Sequence, residues 1–229
     1  MSVTLVSRPT AEIETAEQRF VIGRIDWDAY VTICDALDEQ NGVRLIYNDG
    51  KLIFMGKSRR HEWLSDCLGY LVIGIATHLR IPCEPAAEAT FRRREKAAGL
   101  EGDRTFHFGA NAERMRGGDD YDFSADPPPD LAIEVEVSHS AVAAVEAWGR
   151  MDVPEIWRFH AATRTCSMWR LRDDGSYEQT DQSMLLPALR PDDVTELIEQ
   201  ARSSGTVAWL AELPGWVDRV IRPRLERRV

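Results

Sequence analysis

The chain has 229 residues, 44% of them hydrophobic and 29% charged, which is the make-up of an ordinary globular protein with enough length for one full core. No run reaches the ~20 apolar residues of a membrane span; the most apolar segment, residues 68–79, contains His78 and reads as a core helix. The net charge of −10 works against broad attraction to a polyanion, although basic residues gather at 57–60, 92–94 and 219–228.

No apolar segment precedes a cleavage site near the N-terminus, so a signal peptide is not expected and the cytoplasm is the expected compartment. Cys34, Cys67, Cys83 and Cys166 form no Cys-x-x-Cys pair and read as free thiols. The five histidines show no ligand-like pairing with them, which argues against zinc.

Residues 1–20 read as a flexible N-terminal tail. Asp26 then offers an N-cap for a helix through Tyr30, Cys34 and Leu37, ending near Asn41-Gly42. Two apolar runs, 43–47 and 51–55, flank Asn48-Asp49-Gly50 and predict a hairpin, because these turn residues tolerate positive φ. A long helix is expected over 61–78, with Leu64, Cys67, Leu68, Leu71, Val72 and Ile75 as its buried stripe. Pro82 and Pro85 end it.

Residues 89–94 and 105–108 read as strands around a polar excursion, and 111–126 as a loop running into Pro127-Pro128-Pro129. The sharpest strand is 130–137. There Leu131, Ile133, Val135 and Val137 face one way, and Asp130, Ala132, Glu134 and Glu136 the other. A helix through Val142, Val145 and Trp148 follows, then a strand at 156–160 and a hairpin of 166–171 with 177–180. From Pro191 the pattern is two helices parted near Ser203-Ser204-Gly205. The economical reading is one α/β domain over 21–190, with 191–229 as a helical extension packed on it.

Glycine-rich phosphate loops and serine elbows are absent, so carboxylates carry the chemistry. Glu134 and Glu136 share one strand face. They are either the outward residues of a half-solvated strand or a pair whose repulsion a cation would relieve, and such oxygen donors suit Mg²⁺ or Mn²⁺. Asp103 follows Glu101-Gly102 as a turn residue. Glu62 stands in the first turn of the long helix, where the helix dipole favours an acid. His61-Glu62 is no metalloprotease motif, because residue 65 is serine.

These acids lie in segments that resemble the Uma2 family of restriction-endonuclease-like proteins, in the PD-(D/E)XK nuclease superfamily. The landmarks are Arg44-Leu45-Ile46-Tyr47-Asn48-Asp49-Gly50-Lys51-Leu52, His61-Glu62, Gly99-Leu100-Glu101-Gly102-Asp103 and Phe106-His107-Phe108. Pro129-Asp130-Leu131-Ala132-Ile133-Glu134-Val135-Glu136-Val137 and Val153-Pro154-Glu155-Ile156-Trp157-Arg158 complete the series. The resemblance implies a restriction-endonuclease-like mixed sheet flanked by helices and a divalent-metal-dependent DNA endonuclease, with a homodimer convenient for cutting two strands. It assigns catalytic roles to Glu62, Asp103, Glu134 and Glu136, and Mg²⁺ or Mn²⁺ to Asp103 and Glu134. Two positions depart from the family. Ala144 stands where a lysine is common, and Gly102 replaces the proline before the motif aspartate. Only Lys51, Lys57 and Lys96 are lysines, and none lies late enough to substitute. The alternative function is a catalytically degenerate binding module that keeps the fold.

Overall fold

The computed structural model describes residues 18–37, 43–87, 90–117, 122 and 126–227. Asp26 caps helix α1 (Trp27–Leu37) by accepting the Ala29 amide at 2.8 Å; the end expected near Asn41-Gly42 lies outside the described residues. Strands β2 (Val43–Asn48) and β3 (Lys51–Gly56) turn on Asp49 and Gly50, both at positive φ, the geometry that a two-residue hairpin requires. β1 (Arg19–Gly23) pairs with β3, so sheet structure begins inside the segment expected as a tail. Helix α2 (Arg59–Leu79) starts on Ser58, whose hydroxyl accepts the His61 amide, and its whole expected stripe is buried.

After α2 the structure differs from expectation in three places. Pro85 lies within a strand, β4 (Cys83–Ala87), at the sheet edge, where the missing N–H costs least. The polar excursion after β5 (Thr90–Arg93) contains a further strand, β6 (Ala98–Glu101), and the loop after β7 (Arg104–Phe108) opens with a short helix, α3 (Gly109–Met115). The remaining elements follow the predicted order: β8 (Leu131–Glu136), α4 (Val142–Arg150), β9 (Glu155–His160), β10 (Thr165–Leu171), β11 (Tyr177–Thr180), α5 (Pro191–Ser204) and α6 (Thr206–Glu226).

The expected mixed sheet flanked by helices is present, and an antiparallel sheet stands beside it. The antiparallel sheet comes first in the chain, ordered β1-β3-β2-β6-β5. The second is the mixed one, ordered β11-β10-β9-β8-β7-β4, with β8 and β9 parallel across the α4 connection. α2, α5 and α6 bury their apolar faces against the mixed sheet on the side of Leu131, Ile133 and Val135. On its other side Ala132 and Ile156 join Trp148 and Ala144 of α4 with Ile46 and Leu100 of the first sheet. β8 is therefore covered on both faces, and all six of its residues are buried. That removes the half-solvated reading of Glu134 and Glu136. Among the described residues no helix is long and apolar enough to cross a membrane, and the four cysteines are free.

Candidate active site

The chain passes from one sheet to the other through Gly102-Asp103, between β6 and β7. Five elements meet there: β2 brings Arg44, α2 His61 and Glu62, the crossing turn Asp103, β8 Glu134, and α4 Trp148. Asp103 is 1% exposed and Glu134 0%, so their charges need partners inside the protein.

Arg44 is that partner for both. Its Nη1 lies 2.9 Å from Asp103 Oδ1, and its Nη2 lies 2.8 Å from each oxygen of Glu134. Nε donates to the Glu101 carbonyl at 2.5 Å. All three guanidinium nitrogens are thus engaged, and Arg44 is itself 2% exposed. A planar fork suits this bridging role, because its nitrogens point in fixed directions at both acids and the Glu101 carbonyl at once.

Each acid has further support. Asp103 Oδ2 accepts the Val135 amide at 2.8 Å and lies 3.1 Å from His61 Nε2. The Asp103 carbonyl accepts from Ser65 Oγ at 3.0 Å and Arg104 Nη1 at 2.8 Å. Glu134 Oε1 accepts from the Trp148 indole at 2.7 Å. Burial opposes charge on Asp103, but Arg44, His61 and the Val135 amide outweigh it and hold the carboxyl well below its usual range. Glu134 goes the other way. Burial, with the charge on Asp103, pushes it up to about 7 against the pull of Arg44 and Trp148. Burial also works against the Arg44 charge, yet the two acids raise its pKa further.

Gly102 fits this arrangement for a steric reason. A Cβ there would stand 2.5 Å from Thr105 Cγ2 and 3.0 Å from the Trp148 ring, so glycine is what lets the indole lie close enough to reach Glu134. Asp103 is aimed by its hydrogen bonds and does not need the family proline. Ala144 is 1% exposed and packed in the apolar cluster of α4, leaving no open space for a long side chain.

The other two predicted acids have separate partners. Glu136 is 6% exposed; its Oε1 accepts from Arg158 Nε at 2.8 Å, from Arg158 Nη2, and from the Ala141 amide at 3.0 Å. It thereby orders the turn leading into α4. Glu62 is half-buried at the rim, 3.4 Å from His61 Nδ1, a contact that lowers its pKa. Lys57 pairs with Glu101 beside it at 2.6 Å. Sequence reasoning missed Arg44, His61 and Trp148 as site residues. The legible signal for Arg44 was a charged residue inside an otherwise apolar strand.

Carboxylate oxygens are the right donors in kind for Mg²⁺ or Mn²⁺. Among the described residues, however, no three or more His, Cys, Asp and Glu side chains gather as for a metal ion. The space common to Asp103 and Glu134 holds the Arg44 guanidinium, so a cation fits there only where Arg44 does not. The basic clusters are largely matched by acids: Arg92 with Asp35, Arg94 with Asp28, Arg222 with Asp218 and Arg224 with Asp193.

Residues 27–202 match the model of the Uma2 family, whose description is "Putative restriction endonuclease". No curated protein matches the chain. Among solved structures it is similar to "a putative nuclease belonging to DUF820 from Anabaena variabilis ATCC 29413", at 14% identity and a TM-score of 0.46, over 72% of this chain and 90% of that one.

Proposed function

Because the chain belongs to the Uma2 family, we propose that it is a cytoplasmic endonuclease hydrolysing phosphodiester bonds of DNA, with Asp103 and Glu134 as the acid pair of a PD-(D/E)XK-type site. The observation that carries this reading is the burial of two carboxylates, from two different segments, around one shared cation place. Burying three charged groups costs several kcal/mol each before their attraction returns any of it. Apolar residues would pack the junction without that cost, which favours a chemical role for the acids over a purely structural one.

Mg²⁺ or Mn²⁺ at Asp103 and Glu134 would supply Lewis acidity and a bound water of lowered pKa. The chain's own residues do the positioning. His61 and the Val135 amide fix Asp103, Trp148 fixes Glu134, and Glu136 with Arg158 sets the turn that carries Trp148. Glu62, half-buried at the rim, is the acid within reach of an incoming substrate. Without metal, Arg44 is the positive charge facing the acid pair, and Ala144 supplies none. Two subunits acting as a pair would serve both strands of a duplex.

A second reading, a non-cleaving binding module, is favoured by one observation: Arg44 already fills the cation place. Labelled single- and double-stranded DNA incubated with protein and Mg²⁺, Mn²⁺ or EDTA separates the two. Endonuclease function predicts metal-dependent fragments that EDTA abolishes. Intact DNA in every condition, with measurable binding, would favour the module.

A further inference from the structure

We propose that Arg44 is the resident cation of the acid pair and competes directly with divalent metal, so that metal binds Asp103 and Glu134 only when the guanidinium is displaced. The acceptors around Arg44 are Asp103 Oδ1, the two Glu134 oxygens and the Glu101 carbonyl. Every one is an oxygen, the donor type that Mg²⁺ and Mn²⁺ take. The place is therefore built for a cation, and the cation in it is a side chain.

Charge gives the exchange its direction. One guanidinium against two carboxylates leaves the group with a net negative charge, one positive charge short of balance, whereas a dication would neutralise both. Arginine does not escape by losing its proton, so the competition is positional. Arg44 stands next to Val43, which is 39% exposed at the start of β2, and its Nε contact is to Glu101, whose carboxylate is held by Lys57 at the rim. Trp148 and His61 hold the two acids from other sides, so the pair keeps its shape when the fork leaves.

This inference takes from the proposed function only the acid pair as the site. Its test contains no nucleic acid, so a protein that cuts nothing leaves it standing. Calorimetric titration with MnCl₂ compares wild type, Arg44→Lys, Arg44→Met, and Arg44→Lys combined with Glu134→Gln, with circular dichroism as the check on folding. Arg44→Lys keeps a positive charge but gives up the planar fork and the Nε contact to Glu101, which loosens the hold on the pair. Both single variants are expected to bind Mn²⁺ roughly tenfold more tightly than wild type, or better, and Glu134→Gln is expected to erase that gain. If a variant is unfolded alone, excess Mn²⁺ is expected to restore its fold. Wild type binding Mn²⁺ as tightly as Arg44→Lys would overturn the proposal. So would a gain that survives Glu134→Gln, or variants that Mn²⁺ fails to fold.

Discussion

Replacing Arg44 by methionine keeps an unbranched side chain of comparable reach and removes only the charge and its donors. Asp103 and Glu134, at 1% and 0% exposure, are then left buried together without a cation. Breaking a buried ion pair from one side costs about 3–5 kcal/mol, a large share of the 5–15 kcal/mol that typically holds a domain together. With a urea slope of about 2–3 kcal/mol/M, the unfolding midpoint falls by roughly 1–2.5 M at pH 8. At pH 5 the loss is smaller, because protonating one acid relieves the pair. A triple variant, Arg44→Met with Asp103→Asn and Glu134→Gln, is expected to recover most of the loss, since no charge is left stranded. Urea titrations of the three proteins at both pH values measure this. A single variant with the wild-type midpoint at pH 8, or a triple variant as unstable as the single one, would refute the reasoning.

Wild-type stability is expected to fall as pH rises from about 5 to 8. Glu134 goes from its ordinary 4.5 to about 7 in the folded protein, so the folded state binds more protons across that window. The stabilisation present below the unfolded value is lost through the folded one, amounting to about 3 kcal/mol. Asp103 is shifted the opposite way, so its contribution is constant above its unfolded value of 3.8 and is lost only as pH falls below it; urea midpoints against pH for wild type and Glu134→Gln isolate the first effect, and the variant is expected to show a flatter curve. Trp148→Phe removes the indole donor from Glu134 and is expected to cost about 2–3 kcal/mol in urea unfolding, with a steeper loss at high pH. Ala144→Lys forces an ammonium into the cluster of Ile46, Phe91 and Trp148 and is expected to lower the melting temperature by several degrees, as a penalty of about 1–3 kcal/mol implies.

The elements most legible in the sequence were those whose pattern is local. The α2 stripe, the turn at Asp49-Gly50 and the two-faced strand around Glu134 follow from periodicity and turn chemistry alone. β6 was hidden because Gly99 interrupts its pattern; a Cβ there would strike Tyr30, a contact with a residue nearly seventy positions earlier. β4 was hidden by Pro85, which reads as a breaker unless the strand is known to lie at an edge. Asp103 and Glu134 are singled out by the family landmarks, but their setting is not legible there. Nothing in the order of residues says that Arg44, from the other sheet, stands between them. Trp148 reads as a core aromatic, and only its indole nitrogen, 2.7 Å from Glu134, makes it more than that. A single cation relieving Glu134 and Glu136 is not what the fold supplies: Arg44 holds Glu134, and Arg158 holds Glu136.

Nicking of supercoiled plasmid in Mn²⁺ tests the site most directly, with wild type, Asp103→Asn, Glu134→Gln and the surface control Glu199→Gln run side by side. The account predicts nicking by wild type and by Glu199→Gln, and at least about a hundredfold loss in both site variants while their circular dichroism stays native. Equal nicking by Asp103→Asn and wild type would place the chemistry elsewhere and contradict it.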